Sequence, residues 1–176
     1  SSTQIVSRDC GATVYVFVVT FLTSGRADER RAEEWIHEAY RLSRGSRSRN
    51  PVLRLIEPLE RLFQGPDSYL PAWEPLLDDE DPWVRALARL HLGRMRILLG
   101  HGGRDADRYL ETAVVEFRAV GERFGMSLAM TELADRIATR GEFAGACELF
   151  EQAIAVVTEV GAVEDVIRMR SRQAQL

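Results

Sequence analysis

The chain has 176 residues, 45% of them hydrophobic, enough to close a core that buries about 70% of the surface the unfolded chain would expose. That length points to one domain spanning residues 1–176. The formal charge of −4 argues against a nucleic-acid-binding module, which needs a concentrated basic face, and Cys10 and Cys147, far apart and in no CxxC or Cys/His cluster, read as reduced thiols in a cytoplasmic protein.

The opening Ser1-Ser2-Thr3 lacks Met and points to a piece of a longer protein. No charged n-region precedes an apolar stretch with a cleavage site. The apolar run Ala12 to Leu22 is shorter than the roughly 20 residues a membrane span takes, so no membrane association is expected. Within it, Thr13 to Leu22 is rich in β-branched and aromatic residues, a strand signal. A lone strand in a helical chain would lack a sheet partner, however, and a helical unit follows Gly25, so position favours helix. As the first helix of a truncated stack, Val14 to Leu22 would offer a sticky outer face and a route to a homodimer.

Arg26 to Leu42 reads as a helix carrying Ala32, Trp35, Ile36, Ala39 and Tyr40 inward, followed by the basic, polar linker from Ser43 to Arg49. Asn50-Pro51 to Phe63 is a short helix ended by Gln64-Gly65-Pro66. Pro66-Asp67 opens another that reaches Leu77, made irregular by Pro71 and Pro75. Asp81-Pro82 then supplies an N-cap with proline at the first helical position. Val84, Leu87, Ala88, Leu92, Met95 and Leu99 follow at helical spacing up to the Gly100-His101-Gly102-Gly103 break. Further helices are predicted from Arg104 to Val120, from about Phe124 to Arg140, and from Glu142 to Val160, with Gly121 and Gly141 as stops. A final helix covers about 163–173.

This second half repeats itself. Leu87-Ala88, Leu92-Gly93 and Gly100 return 41 residues later as Leu128-Ala129, Leu133-Ala134 and Gly141. Leu110-Glu111, Ala113-Val114 and Gly121 return 40 residues later as Phe150-Glu151, Ala153-Ile154 and Gly161. A fixed period in this range marks stacked supersecondary units, each burying its apolar face against its neighbours. The expectation is an all-α fold of about eight or nine helices, with clearer units at about 82–122 and 124–161 and degenerate ones at about 9–44 and 50–80.

Gly141-Glu142-Phe143, Ala146, Phe150 and Ala153-Ile154, with Leu133-Ala134 and Ile137 before them, resemble a tetratricopeptide unit, in which small residues let antiparallel helices approach. That resemblance implies a superhelix of antiparallel helix pairs. Leu92-Gly93, Ala106, Leu110 and Ala113-Val114 resemble a second copy, with one extra residue in the turn. Three stretches extend the likeness: Leu53 to Leu59, Trp73-Glu74-Pro75-Leu76-Leu77-Asp78-Asp79, and Asp81-Pro82-Trp83-Val84-Arg85-Ala86-Leu87-Ala88-Arg89-Leu90. With Phe117 to Gly125 and Gly161 to Val166, they resemble the C-terminal helical-repeat region of actinobacterial transcriptional regulators of the antibiotic-regulatory, AfsR-like type. All 23 basic residues are arginine, in keeping with a GC-rich source. In that family a DNA-binding domain and a P-loop NTPase precede the repeats, which serve protein contact or signal sensing.

Catalytic and cofactor chemistry is not legible. His37-Glu38 begins like a zinc-protease motif, but Arg41 stands where the second histidine is needed, so no metal site is expected. Gly100 to Asp105 lacks a P-loop and joins two helices. Asp78-Asp79-Glu80-Asp81 lacks the spacing of a calcium loop and suits helix capping. Trp35, Trp73 and Trp83 suit inter-helix packing. In a stack of pairs the first helices line a concave face, which assigns Leu90, Arg94 and Ile97 in one unit and Thr131, Asp135 and Thr139 in the next as contacts. The same positions could be ordinary solvated sites or lie under the final helix. The expected function is therefore non-catalytic: a repeat domain that holds a protein or peptide partner, or upstream domains of its own polypeptide, without cofactor. A free-standing scaffold and a small-molecule sensor are the alternatives.

Overall fold

A computed structural model describes residues 29–44, 51–159, 161 and 163–176. These residues form eight α-helices and two 3-10 segments, with no strand among them. The helices are α1 (Glu29–Ser43), α2 (Pro51–Arg61), α3 (Pro66–Trp73), α4 (Pro82–Leu98), α5 (Arg104–Ala119), α6 (Arg123–Ala138), α7 (Phe143–Glu159) and α8 (Val163–Gln173); the 3-10 segments are Leu62–Gln64 and Glu74–Asp78. No helix among the described residues is long and apolar enough to cross a membrane. Residues 13–22, and with them the choice of helix or strand and the dimer contact, lie outside the described residues, as do the side chains of Ala32 and Trp35. The chain falls into two compact units, Ser1–Leu76 and Leu77–Leu176.

In the first unit, α1 packs on α2 and α2 on α3. Its buried residues are Ile36 and Ala39 from α1, Leu55, Ile56 and Leu59 from α2, and Tyr69 and Trp73 from α3. The Tyr69 and Trp73 rings meet edge to face, 5.9 Å between centroids and 66° between planes, the geometry that the ring quadrupoles favour. Gly65, at φ +95°, turns the chain into α3, where Pro66 occupies the first helical turn without a hydrogen-bonding cost. The helix expected to reach Leu77 ends at Trp73 instead. Pro75 has no N–H to offer the carbonyl one turn back, so the chain tightens into the 3-10 segment Glu74–Asp78.

The second unit is the repeating half. The Asp81 carboxylate caps α4 by accepting a hydrogen bond from the Trp83 N–H at 2.9 Å, with Pro82 in the first turn. Each helix packs on the next: α4 on α5, α5 on α6, α6 on α7 and α7 on α8. Cross-contacts give the direction. Arg85 and Arg89 reach Glu116 while Gly93 abuts Tyr109 and Ala106, so α5 runs back along α4. Asp107 meets Arg136 while Gly125 abuts Phe117, which reverses α6 against α5. Arg123 pairs with Glu159 while Gly145 faces Ile137, so α7 is antiparallel to α6. Alternate helices α4 and α6 also touch.

Small residues make this closeness possible. A Cβ on Gly93 would lie 3.1 Å from the Cβ of Tyr109 and 3.2 Å from the Ala106 carbonyl. Ala106, Ala113, Ala134, Ala146 and Ala153 are all fully buried, and Phe117 and Phe150 fill the space between helices. Fully burying each such aromatic contributes roughly 1.5–3 kcal/mol.

Gly125 is the tightest point. A Cβ there would fall 2.5 Å from the Glu122 Oε2 and 2.6 Å from the Phe117 ring. Glu122 is the N-cap of α6, accepting from the Phe124 and Gly125 N–H groups at 3.0 and 2.7 Å. Burial raises its carboxyl pKa, against the lowering effect of those two backbone bonds. Gly125→Ala should therefore destabilise the chain by about 1–3 kcal/mol through overpacking, although alanine is the better helix former. Denaturant unfolding checks this, and an unchanged or raised stability would contradict it.

Candidate functional site

Helices α4 and α6 share one face with the end of α8. Arg94 Nε lies 3.4 Å from Glu132 Oε1. One turn further along α6, Asp135 pairs with Arg172 of α8. The result is a stripe of alternating charge across three helices, in which Arg94 and Glu132 keep only 20% and 14% of their side-chain surface exposed. Burial pulls the Arg172 guanidinium below the ordinary arginine value; Glu132 opposes this and Arg94 adds to it.

The six residues expected to line the face divide. Leu90 and Thr131 are 3% and 2% exposed. They supply packing and offer a ligand no surface. Thr131 also donates its hydroxyl to the Ser127 carbonyl at 2.8 Å. Arg94, Ile97 and Asp135 are part-exposed, and Thr139 is exposed with its hydroxyl given to the Arg136 carbonyl at 2.7 Å. Two members of the stripe, Glu132 and Arg172, are absent from the expected set. Glu132 sits at i+38 from Arg94, a spacing that single-helix periodicity does not connect. Arg172 belongs to the final helix, which reaches this face at Asp135.

Beneath and beside the face lie two buried titratable groups, a neutral imidazole and a carboxylate. His91, on α4, is 6% exposed, and burial, with Arg94 nearby as a second cause, pushes its pKa down to about 3. Asp107, on α5, is 8% exposed and holds two arginines of the next pair. Its Oδ1 accepts from Arg136 Nε at 2.9 Å and its Oδ2 from Arg140 Nη1 at 2.6 Å. Arg136 also donates to the Gly102 carbonyl, tying the glycine-rich turn to α6.

In the first unit His37 is half exposed and lies 3.3 Å from Glu60 and 3.6 Å from Glu33. No group of three or more His, Cys, Asp and Glu side chains able to hold a metal occurs among the described residues. Cys147 is a free thiol of intermediate exposure. Trp73 is fully buried and Trp83 part-buried.

No family model matches the chain. No curated protein matches it either. Among solved structures the chain is similar to BtubC (BKLC) from P. vanneervenii, with a TM-score of 0.56 and 18% sequence identity, over 89% of this chain and 68% of that one. At that identity the likeness bears on the fold alone.

Proposed function

We propose that this chain is a non-catalytic, tetratricopeptide-like interaction domain of a bacterial transcriptional regulator. In this reading α4–α5 and α6–α7 are two successive repeat units, and α8 is the cap of the array. The partner is a protein or peptide, or the upstream domains of the same polypeptide, and it lies along the face of α4, α6 and α8. The observation that carries the reading is the charged stripe Arg94–Glu132 and Asp135–Arg172, which crosses alternate helices and leaves polar, orientable groups flanked by part-exposed Ile97. Polar groups of both signs beside an apolar contact suit recognition of an extended segment better than they suit a core. The regulator assignment rests on the resemblance of Leu53–Leu59, Trp73–Asp79 and Asp81–Leu90 to the AfsR-like repeat region.

Two measurements test the two halves of this proposal. The reading frame preceding Ser1 should encode a DNA-binding domain and a P-loop NTPase; their absence removes the regulator assignment and leaves a scaffold of the same fold. Calorimetric titration of the chain with the polypeptide encoded upstream should then show saturable association. Asp135→Arg together with Glu132→Arg should weaken it about tenfold or more, since like charges set against a complementary surface cost several kcal/mol. Undiminished association in that variant would overturn the assignment of the face.

A further inference from the structure

On a chain of net charge −4, one cleft in the second unit carries an excess of basic groups. It lies between α4 and α5 and is lined by Arg89, Arg96, Asp105, Arg108, Tyr109 and Thr112, with a volume of about 300 Å³. The sequence builds it by spacing. Arg89 and Arg96 are seven apart and share one stripe of α4. Asp105, Arg108, Tyr109 and Thr112, at i, i+3, i+4 and i+7, share one stripe of α5. Because α4 and α5 are antiparallel and held close by Gly93, the two stripes face each other across the cleft. Three guanidinium groups against Asp105 give the lining a formal charge of +2, or +1 with the Glu116 carboxylate that pairs with Arg89. The neighbouring cleft of Arg104, Asp107, Arg108, Glu111, Arg140 and Glu142 balances three positive with three negative groups and so favours no charge.

We propose that this cleft binds a small phosphate-bearing molecule through its phosphoryl group. The Arg96 guanidinium lies 4.9 Å from the Tyr109 ring centroid, a stacking contact that fixes the plane of its donor fork. Arg89 is held at the other end by Glu116 at 2.9 Å, which positions one side of its guanidinium and leaves the group a member of the lining. Arg108 is paired with Asp105 at 3.0 Å, but both side chains are about three-quarters exposed. An exposed pair of this kind contributes little, so an incoming dianion can take its place on Arg108 at small cost. A tetrahedral phosphoryl group accepts from several guanidinium forks at once, and the Thr112 hydroxyl adds a further donor. The site is separate from the α4, α6 and α8 face and does not depend on the function proposed for it.

The test is calorimetric titration of the chain with inorganic phosphate and, separately, with adenosine 5′-monophosphate, at constant ionic strength and neutral pH. Saturable binding is expected, weakened about tenfold or more in Arg96→Gln with Arg108→Gln and unaltered in Arg118→Gln, an exposed position of α5 outside the cleft. Tighter binding of the nucleotide would mark an organic phosphate as the ligand, and equal affinity would mark free phosphate; both outcomes support the site. Circular dichroism confirms that the double variant folds, and the single variant at exposed Arg108 replaces it otherwise. Binding of neither compound up to about 10 mM, or equal affinity in the double variant, overturns the proposal.

Discussion

Asp107→Ala should lower the stability of the chain by about 3 kcal/mol, one of the two largest effects expected of a single change here. The carboxylate is 12% exposed and bonds Arg136 and Arg140 at once. Without it, Arg136, 22% exposed, keeps only the Gly102 carbonyl and becomes a poorly solvated charge. Arg140 is 43% exposed and relaxes into water, so Arg140→Ala should cost under about 1 kcal/mol. The contrast between the two variants is the prediction. Denaturant unfolding, with hydrogen exchange in α5 and α6 to locate the loss, checks it; equal small costs at both positions would show that Asp107 clamps nothing.

The second large effect is a loss of stability in mild acid that depends on His91. Its pKa is about 3 in the folded chain, against 6.5 for a free histidine. Between these values the unfolded chain binds a proton that the folded chain refuses, so unfolding takes up protons and stability falls as pH falls. The contribution is fully present above about pH 6.5 and decays at up to about 1.4 kcal/mol per pH unit below it. Roughly 2 kcal/mol should be gone by pH 5, above the range in which most carboxylates of the unfolded chain titrate. His91→Leu keeps the volume and cannot charge, so its stability should be nearly flat across that window. Urea titrations at a series of pH values decide it, and parallel curves for the two proteins would place the acid sensitivity elsewhere.

Helix type and position in the second unit were readable because local signals agreed. The Asp81-Pro82 cap, the apolar spacing of α4 and the glycine stops at 121 and 141 all state the same boundary in short-range chemistry. The α3 region was less legible. Pro71 is accommodated inside the helix while Pro75 shifts the chain to a 3-10 turn, and composition alone does not rank those outcomes. The small residues of the repeat identified where helices approach, and Gly93 is where a Cβ would meet α5.

The candidate face was half legible for the same reason. Periodicity located Arg94 and Asp135 but also selected Leu90 and Thr131, because a residue one step round the helix looks alike until the neighbouring helix is in place. Glu132 and Arg172 were missed since their partners lie on other helices. Asp107 was passed over because its arginines are 29 and 33 residues away. Long-range charge pairing leaves no periodic trace in the sequence; packing does.

The central claim is that the α4, α6 and α8 face is where a partner sits. Site-specific photo-crosslinking in the full-length natural polypeptide tests it most directly. A photoreactive residue is placed at Ile97 or Thr139 on the face, or at Glu111 or Arg118 on exposed α5 positions. Crosslinks to one discrete partner segment from positions 97 and 139, lost with Asp135→Arg and missing from 111 and 118, are the result predicted. Crosslinks of equal yield from all four positions, or from 111 and 118 alone, would contradict it.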